Sequence, residues 1–280
     1  MFRSVLRMSF VASAIVAAGF VSGTFAQPSQ SHPDFSSATF GWVSLRGGVV
    51  PMPGSPPPVG QEPSRPLVAN NTGQQPTFPY ADLRNSNLTP FALDGLKKAN
   101  AMSDTGFAMY SRASRCWATG VPVAINSVVQ PIFFIQTPKE VLTVGQGDQT
   151  VRHIYMDVPH SQNPKPSWYG ESVGHYEGEW LVVDTIAQDT RTFIDNFRTP
   201  HSDKLHVVER YHLTNGGNTL ETEVTIEDPA SFIKPVRLQM RARKAQAPDG
   251  IIESRCADGE SFNPFGQKEE PIPVAGKPDF

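Results

Sequence analysis

Three of the chain's seven histidines and an unusual density of acids fall within Ser172–Tyr211, which reads SVGHYEGEWLVVDTIAQDTRTFIDNFRTPHSDKLHVVERY. Near its end the residues alternate: Leu205, Val207, Glu209 and Tyr211 share one face of a strand, and His206, Val208, Arg210 and His212 share the other. The first face is the more apolar, so it should turn inward and take Glu209 with it. A carboxylate among inward apolar side chains needs a partner or a task. One task is general acid–base chemistry, with Glu209 as base, Asp195 beside it at a barrel mouth, and His201, His206 or His175 as acid or orienting group. Tyr211 would donate to a developing oxyanion. The alternative is an ion pair with Arg152 or Arg237 that only holds the fold together. Asp184 reads as structural, because WLVVDT sets it with Trp180 and Val182, opposite Leu181 and Val183.

A metal is a second chemistry to weigh. His201, Asp203, His206 and Glu209 offer imidazole and carboxylate ligands, and His175 could join from the neighbouring hairpin. However, His206 and Glu209 are three apart on a strand and face opposite ways unless a bulge intervenes. The expectation is therefore no cofactor, with a divalent metal kept as the alternative. Gly145-x-Gly147 is a turn with no helix after it, which argues against a nucleotide. No Gly-x-Ser-x-Gly elbow supports a serine nucleophile.

The elements that must carry these residues are mostly short strands. Glu177-Gly178 separates two alternating runs, Ser172–Tyr176 and Trp180–Ala187, as the arms of a hairpin. Pro131–Gln136, Glu140–Val144 and Thr150–Asp157 precede it. After Leu213 the run Asn215-Gly216-Gly217-Asn218 is a turn, and Leu220, Thr222, Val224 and Ile226 then face in. Pro235–Arg243 and Ile251–Cys256 complete the set. Thr89-Pro90 starts one short helix, with Phe91, Leu93, Leu96 and Ala99 on its apolar face and its end near Met102. Such an order predicts an all-β fold: an antiparallel meander barrel of the calycin or lipocalin kind, with about 8–10 strands.

The remaining features bound the setting. The chain has 280 residues, a formal net charge of −3, 26 prolines and 22 glycines. That charge gives no reason to expect nucleic acid or an anionic membrane as partner. Residues 1–26 have the charged start, apolar run and small residues of a signal peptide, too short to remain as a membrane span, so the mature chain is expected in the periplasm or outside the cell. Residues 27–84 are rich in proline and polar residues and read as a flexible leader, with Phe40–Val50 as a piece that could dock. Residues 85–260 then form the barrel, and 261–280 a loose tail. Cys116 and Cys256 read as a disulfide in an oxidising compartment, with two free thiols as the alternative.

The blocks RCWATGVP, SVGHYEGEWLVVDT, PHSDKLHVVERY and TIEDP followed by KP resemble those of a large family of exported bacterial proteins of unassigned function. The matching blocks run from about Arg115 to Val236. Tyr176 stands where the family pattern has tryptophan, and Glu179 where it has aspartate. The resemblance implies a shared fold and brings no activity with it. From the residues, two functions compete. One is an exported enzyme, an isomerase, lyase, cyclase or hydrolase, acting on a small organic substrate in the barrel. The other is a periplasmic lipocalin-like binding protein for an apolar small molecule.

Overall fold

Alternation of apolar and polar residues builds nine strands into one closed barrel. The computed structural model describes residues 32–37, 39–66, 79–105, 107–108, 118–122, 131–146, 150–247, 250–251 and 268–269. The chain divides into 1–31, outside the described residues, and His32–Phe280, which carries everything below. Its elements are β1 (Phe40–Pro51), α1 (Pro90–Asp104), β2 (Phe107–Ala108), β3 (Ile132–Gln136), β4 (Glu140–Gly145), β5 (Val151–Met156), β6 (Glu171–Glu177), β7 (Trp180–Ile186), β8 (His206–Thr214), β9 (Thr219–Glu227), β10 (Val236–Gln246) and β11 (Lys268–Glu269). The barrel runs β1-β10-β9-β8-β7-β6-β5-β4-β3 and closes on β1, while β2 and β11 form a separate pair. The expected barrel and the single helix are present. No described helix is long and apolar enough to cross a membrane.

The wall departs from a pure antiparallel meander at one seam. β5 and β6 run parallel, through Ile154↔Ser172, Tyr155↔Val173 and Met156↔Gly174. Parallel neighbours need a long crossover rather than a hairpin, and the proline-rich segment between β5 and β6 supplies it. Gly174 permits the close approach at this seam. A Cβ there would lie 2.8 Å from Ile154 Cγ2 and 3.0 Å from Met156 Sδ.

Within the expected flexible leader, the piece marked as able to dock, Phe40–Val50, is strand β1. β1 pairs along β10 from Phe40↔Gln246 to Pro51↔Leu238, with a register shift between Ser44 and Val49. Backbone pairing with β10 holds this segment, and four separated side chains of the expected leader, Phe35, Trp42, Val59 and Ala81, reach the core. β1 meets β3 at Trp42↔Ile132 alone, so the barrel closes there by its thinnest contact.

Helix α1 begins as its sequence requires. The Thr89 side chain accepts from Ala92 N at 3.3 Å and donates to the Ala230 carbonyl, while Leu88 bridges Phe232. The helix is thereby tied to the β9–β10 connection and buries Ala92 and Leu96 in the common core, with Ala99 buried as well, while Phe91, expected on the apolar face, is exposed. The signal peptide, Cys116, Cys256 and residues 252–260 lie outside the described residues. So does the tail, apart from Lys268–Glu269, which pairs with β2.

Candidate functional site

Period-two alternation places the inward side chains. On β8, Val207, Glu209 and Tyr211 are buried, and on β5 Arg152 stands with Ile154 and Met156. Register brings Glu209 opposite Val183 on β7 and Val224 on β9, so its immediate flanks are apolar. Its charge is met from across the barrel. Arg152 Nη2 donates to Glu209 Oε2 at 2.5 Å, and the Tyr211 hydroxyl donates to Glu209 Oε1 at 2.9 Å. Arg152 also donates from Nε to Ser172 Oγ at 3.1 Å and from Nη2 to Thr185 Oγ1 at 2.8 Å. Those two hydroxyls lie 3.0 Å apart. One polar network thus stitches β5, β6, β7 and β8 across the parallel seam, where the backbone register is short.

The electrostatics follow from burial. Arg152, Glu209 and Tyr211 side chains are 3%, 0% and 2% exposed. Burial works against the Arg152 charge, yet the Glu209 carboxylate beside it more than offsets this and raises its pKa. Burial, reinforced by the Glu209 charge, lifts Tyr211 well above the ordinary phenol value. Such a tyrosine is a hydrogen-bond donor and no acid.

The other residues singled out in the sequence do not join this network. His201 is buried, with Nδ1 donating to the Ser202 carbonyl at 2.8 Å and Nε2 2.6 Å from Thr192 Oγ1, which fixes it as part of the loop. Asp195 caps the same loop, accepting from Phe197 N at 2.9 Å, Thr199 N at 3.1 Å and Thr199 Oγ1 at 2.6 Å; burial raises its pKa against these bonds. His175 is exposed on the outer face and bonds Glu177 at 3.1 Å. His206 also faces outward, as its spacing from Glu209 requires, and its Nε2 lies 2.9 Å from Asp184 Oδ1. Asp203 is exposed. The acid–base set expected from sequence is therefore spread over the inside, the outside and one end of the barrel. Asp184 sits on the outer row, as its register predicts.

Among the described residues, no group of three or more histidines, cysteines or acids is placed to hold a metal. His160 does reach both Glu171, at 3.0 Å, and Asp184, at 3.1 Å, making an outer chain Glu171–His160–Asp184–His206 that the sequence reading missed. It depends on the crossover loop folding back, which no local pattern announces.

At the other end of the barrel from helix α1, aromatic rings make a column. Phe35 packs on Phe134 at 5.6 Å between centroids, and Phe134 meets Tyr211 edge-on at 5.5 Å. Tyr211 in turn holds Glu209. No family model, curated protein or solved structure matches the chain.

Proposed function

We propose that the chain is an exported binding protein that takes a small, mostly apolar molecule at the barrel mouth, in the place where its own Phe35 packs on the Phe134–Tyr211–Glu209 column. The observation that carries this reading is the interior itself. Among the described residues it is largely apolar around the Arg152–Glu209 pair, whose two charges offset each other and which is further hydrogen-bonded by Tyr211, Ser172 and Thr185. A carrier needs a largely apolar lining with one or two fixed polar groups, whereas a catalyst needs several polar groups converging on one substrate. Glu209 held by a guanidinium is poorly placed to act as a general base, and the histidines offered as its partners bond elsewhere. The ion pair serves better as a rigid floor beneath the site.

The test is a thermal-shift and native-mass screen of small apolar compounds against the mature full chain. A binder should saturate at one molecule per chain and, at a hundred times its dissociation constant, add about 2.7 kcal/mol of stability. If no compound saturates and one is instead chemically converted, the acid–base enzyme replaces the binding protein as the better reading.

A further inference from the structure

The way residues 32–36 are held differs from the way the rest of the wall is held. They form no ladder with a neighbouring strand; side chains of the barrel read their backbone instead. Gln136, at the end of β3, does most of this. Its Oε1 accepts from Phe35 N at 2.7 Å and Ser36 Oγ at 3.1 Å. Its Nε2 donates to the Pro33 carbonyl at 3.0 Å and to the Tyr176 hydroxyl at 2.7 Å. Trp42 Nε1 donates to the Phe35 carbonyl at 3.1 Å. The Phe35 ring is fully buried against Phe134, and His32 stacks on Tyr176 at 3.9 Å with a 13° interplanar angle.

A side-chain amide that meets one backbone N–H and one backbone carbonyl, beside a pocket filled by an aromatic ring, is how a receptor recognises an extended peptide. The proline at position 33 pre-sets the backbone and lowers the entropy lost on docking. We infer that the barrel mouth is a peptide-binding site, occupied in this structure by the chain's own His32–Ser36 segment. Its ligands are short extended peptides with a phenylalanine two residues after a proline. The inference rests on the binding-protein reading and replaces its small apolar ligand by a peptide with one apolar anchor. The tethered segment acts as a built-in competitor, at an effective concentration in the millimolar range for a short tether.

The test uses the mature full chain and a fluorescent, capped hexapeptide with the sequence of residues 32–37, HPDFSS. The wild-type chain should bind it weakly, because the tethered copy competes. Phe35→Ala removes the anchor of the tethered copy and should tighten binding at least tenfold. Alanine in place of phenylalanine in the peptide should abolish that gain, and adding Gln136→Ala to the chain should weaken binding at least tenfold. Toluene, offered to the same Phe35→Ala chain, separates the two readings. Toluene uptake without peptide binding overturns the peptide class and leaves the apolar mouth standing, while uptake of neither overturns both. Should Phe35→Ala fail to fold, the wild-type chain in excess hexapeptide decides the matter by hydrogen exchange, because a bound peptide displaces the tethered copy. The Phe35 amide should then exchange at least tenfold faster with the β8 amides unchanged, and an unchanged Phe35 amide overturns the inference.

Discussion

Replacing Glu209 by glutamine separates a structural ion pair from a catalytic base more sharply than any other single change. The substitution keeps the size and most of the hydrogen-bonding capacity of the side chain and removes its charge. Arg152 would then keep Ser172 and Thr185 as partners but lose the carboxylate 2.5 Å away, with its own side chain only 3% exposed. Leaving one partner of a buried pair uncompensated costs about 3–5 kcal/mol. For a domain of this size each kcal/mol moves the melting midpoint by about 2–4 °C, so the drop should be roughly 6–20 °C. Arg152→Met should cost about as much, because Glu209 would retain the Tyr211 hydroxyl alone among these partners.

The paired substitution Arg152→Met with Glu209→Leu removes both charges and fills the space with apolar atoms. It should be near neutral, since such replacements are often tolerated or stabilising. A double-mutant cycle completed with Glu209→Leu, followed by urea denaturation, should therefore show a coupling of at least about 3 kcal/mol. Additivity within about 0.5 kcal/mol would refute the reasoning. So would a Glu209→Gln midpoint within about 2 °C of wild type. The acid–base reading expects the reverse pattern, with stability retained and turnover down by about a hundredfold or more.

Two further outcomes test the outer face and the parallel seam. A hydrogen bond from His206 lowers the Asp184 pKa, and the same bond raises that of His206, with Glu227 and His160 as the other titratable neighbours. The raised histidine contributes stability fully present below about pH 6.5 and lost as pH rises through its folded value. The lowered aspartate contributes stability present above about pH 4 and lost as pH falls through its folded value. Both groups are about a third exposed, so the pair is worth only about 0.2–1 kcal/mol. Asp184→Asn should flatten the stability profile between pH 6 and 8, and an unaltered profile would exclude the pair as its source. Gly174→Ala should cost about 1–3 kcal/mol by overpacking against Ile154 and Met156. A variant as stable as wild type in urea would mean that the seam can open without loss.

The strands were legible because their alternation is strong and local. From Leu205 to Ile226 the sequence alone predicts which residues face in, and β8 and β9 follow it residue by residue. Three features were hidden wholly or in part from such reasoning. The parallel seam depends on where the crossover loop lands, which is a property of the closed barrel and not of any window of sequence. β1 was only half legible: Phe40–Val50 reads as a piece that could dock, but the proline-rich stretch after it argued for a loose leader, and nothing local pointed to β10 as the strand that pairs with Phe40–Ser44 and Val49–Pro51. Phe35 has no periodic neighbours at all. Its ring is buried against Phe134 and its backbone N–H is held by Gln136, both distant in sequence.

The site was legible to the extent that alternation was applied to every strand. The inward turn of Glu209 was readable, and Arg152 was one of two arginines offered as its structural partner. The same alternation on β5 places Arg152 on the face of Ile154 and Met156, which singles it out over Arg237; that residue lies on β10 between inward Val236 and Leu238 and so faces out. The histidines misled for a related reason. His201 and His206 are close to Glu209 in sequence, but His206 is an odd number of residues away on a strand. His201 belongs to a loop whose polar groups satisfy one another. Sequence proximity places residues together on a loop, whereas on a strand parity decides which side of the wall they occupy. Chemistry in a barrel must be assembled from residues of like parity on different strands, and here the residues that meet are Arg152, Ser172, Thr185, Glu209 and Tyr211.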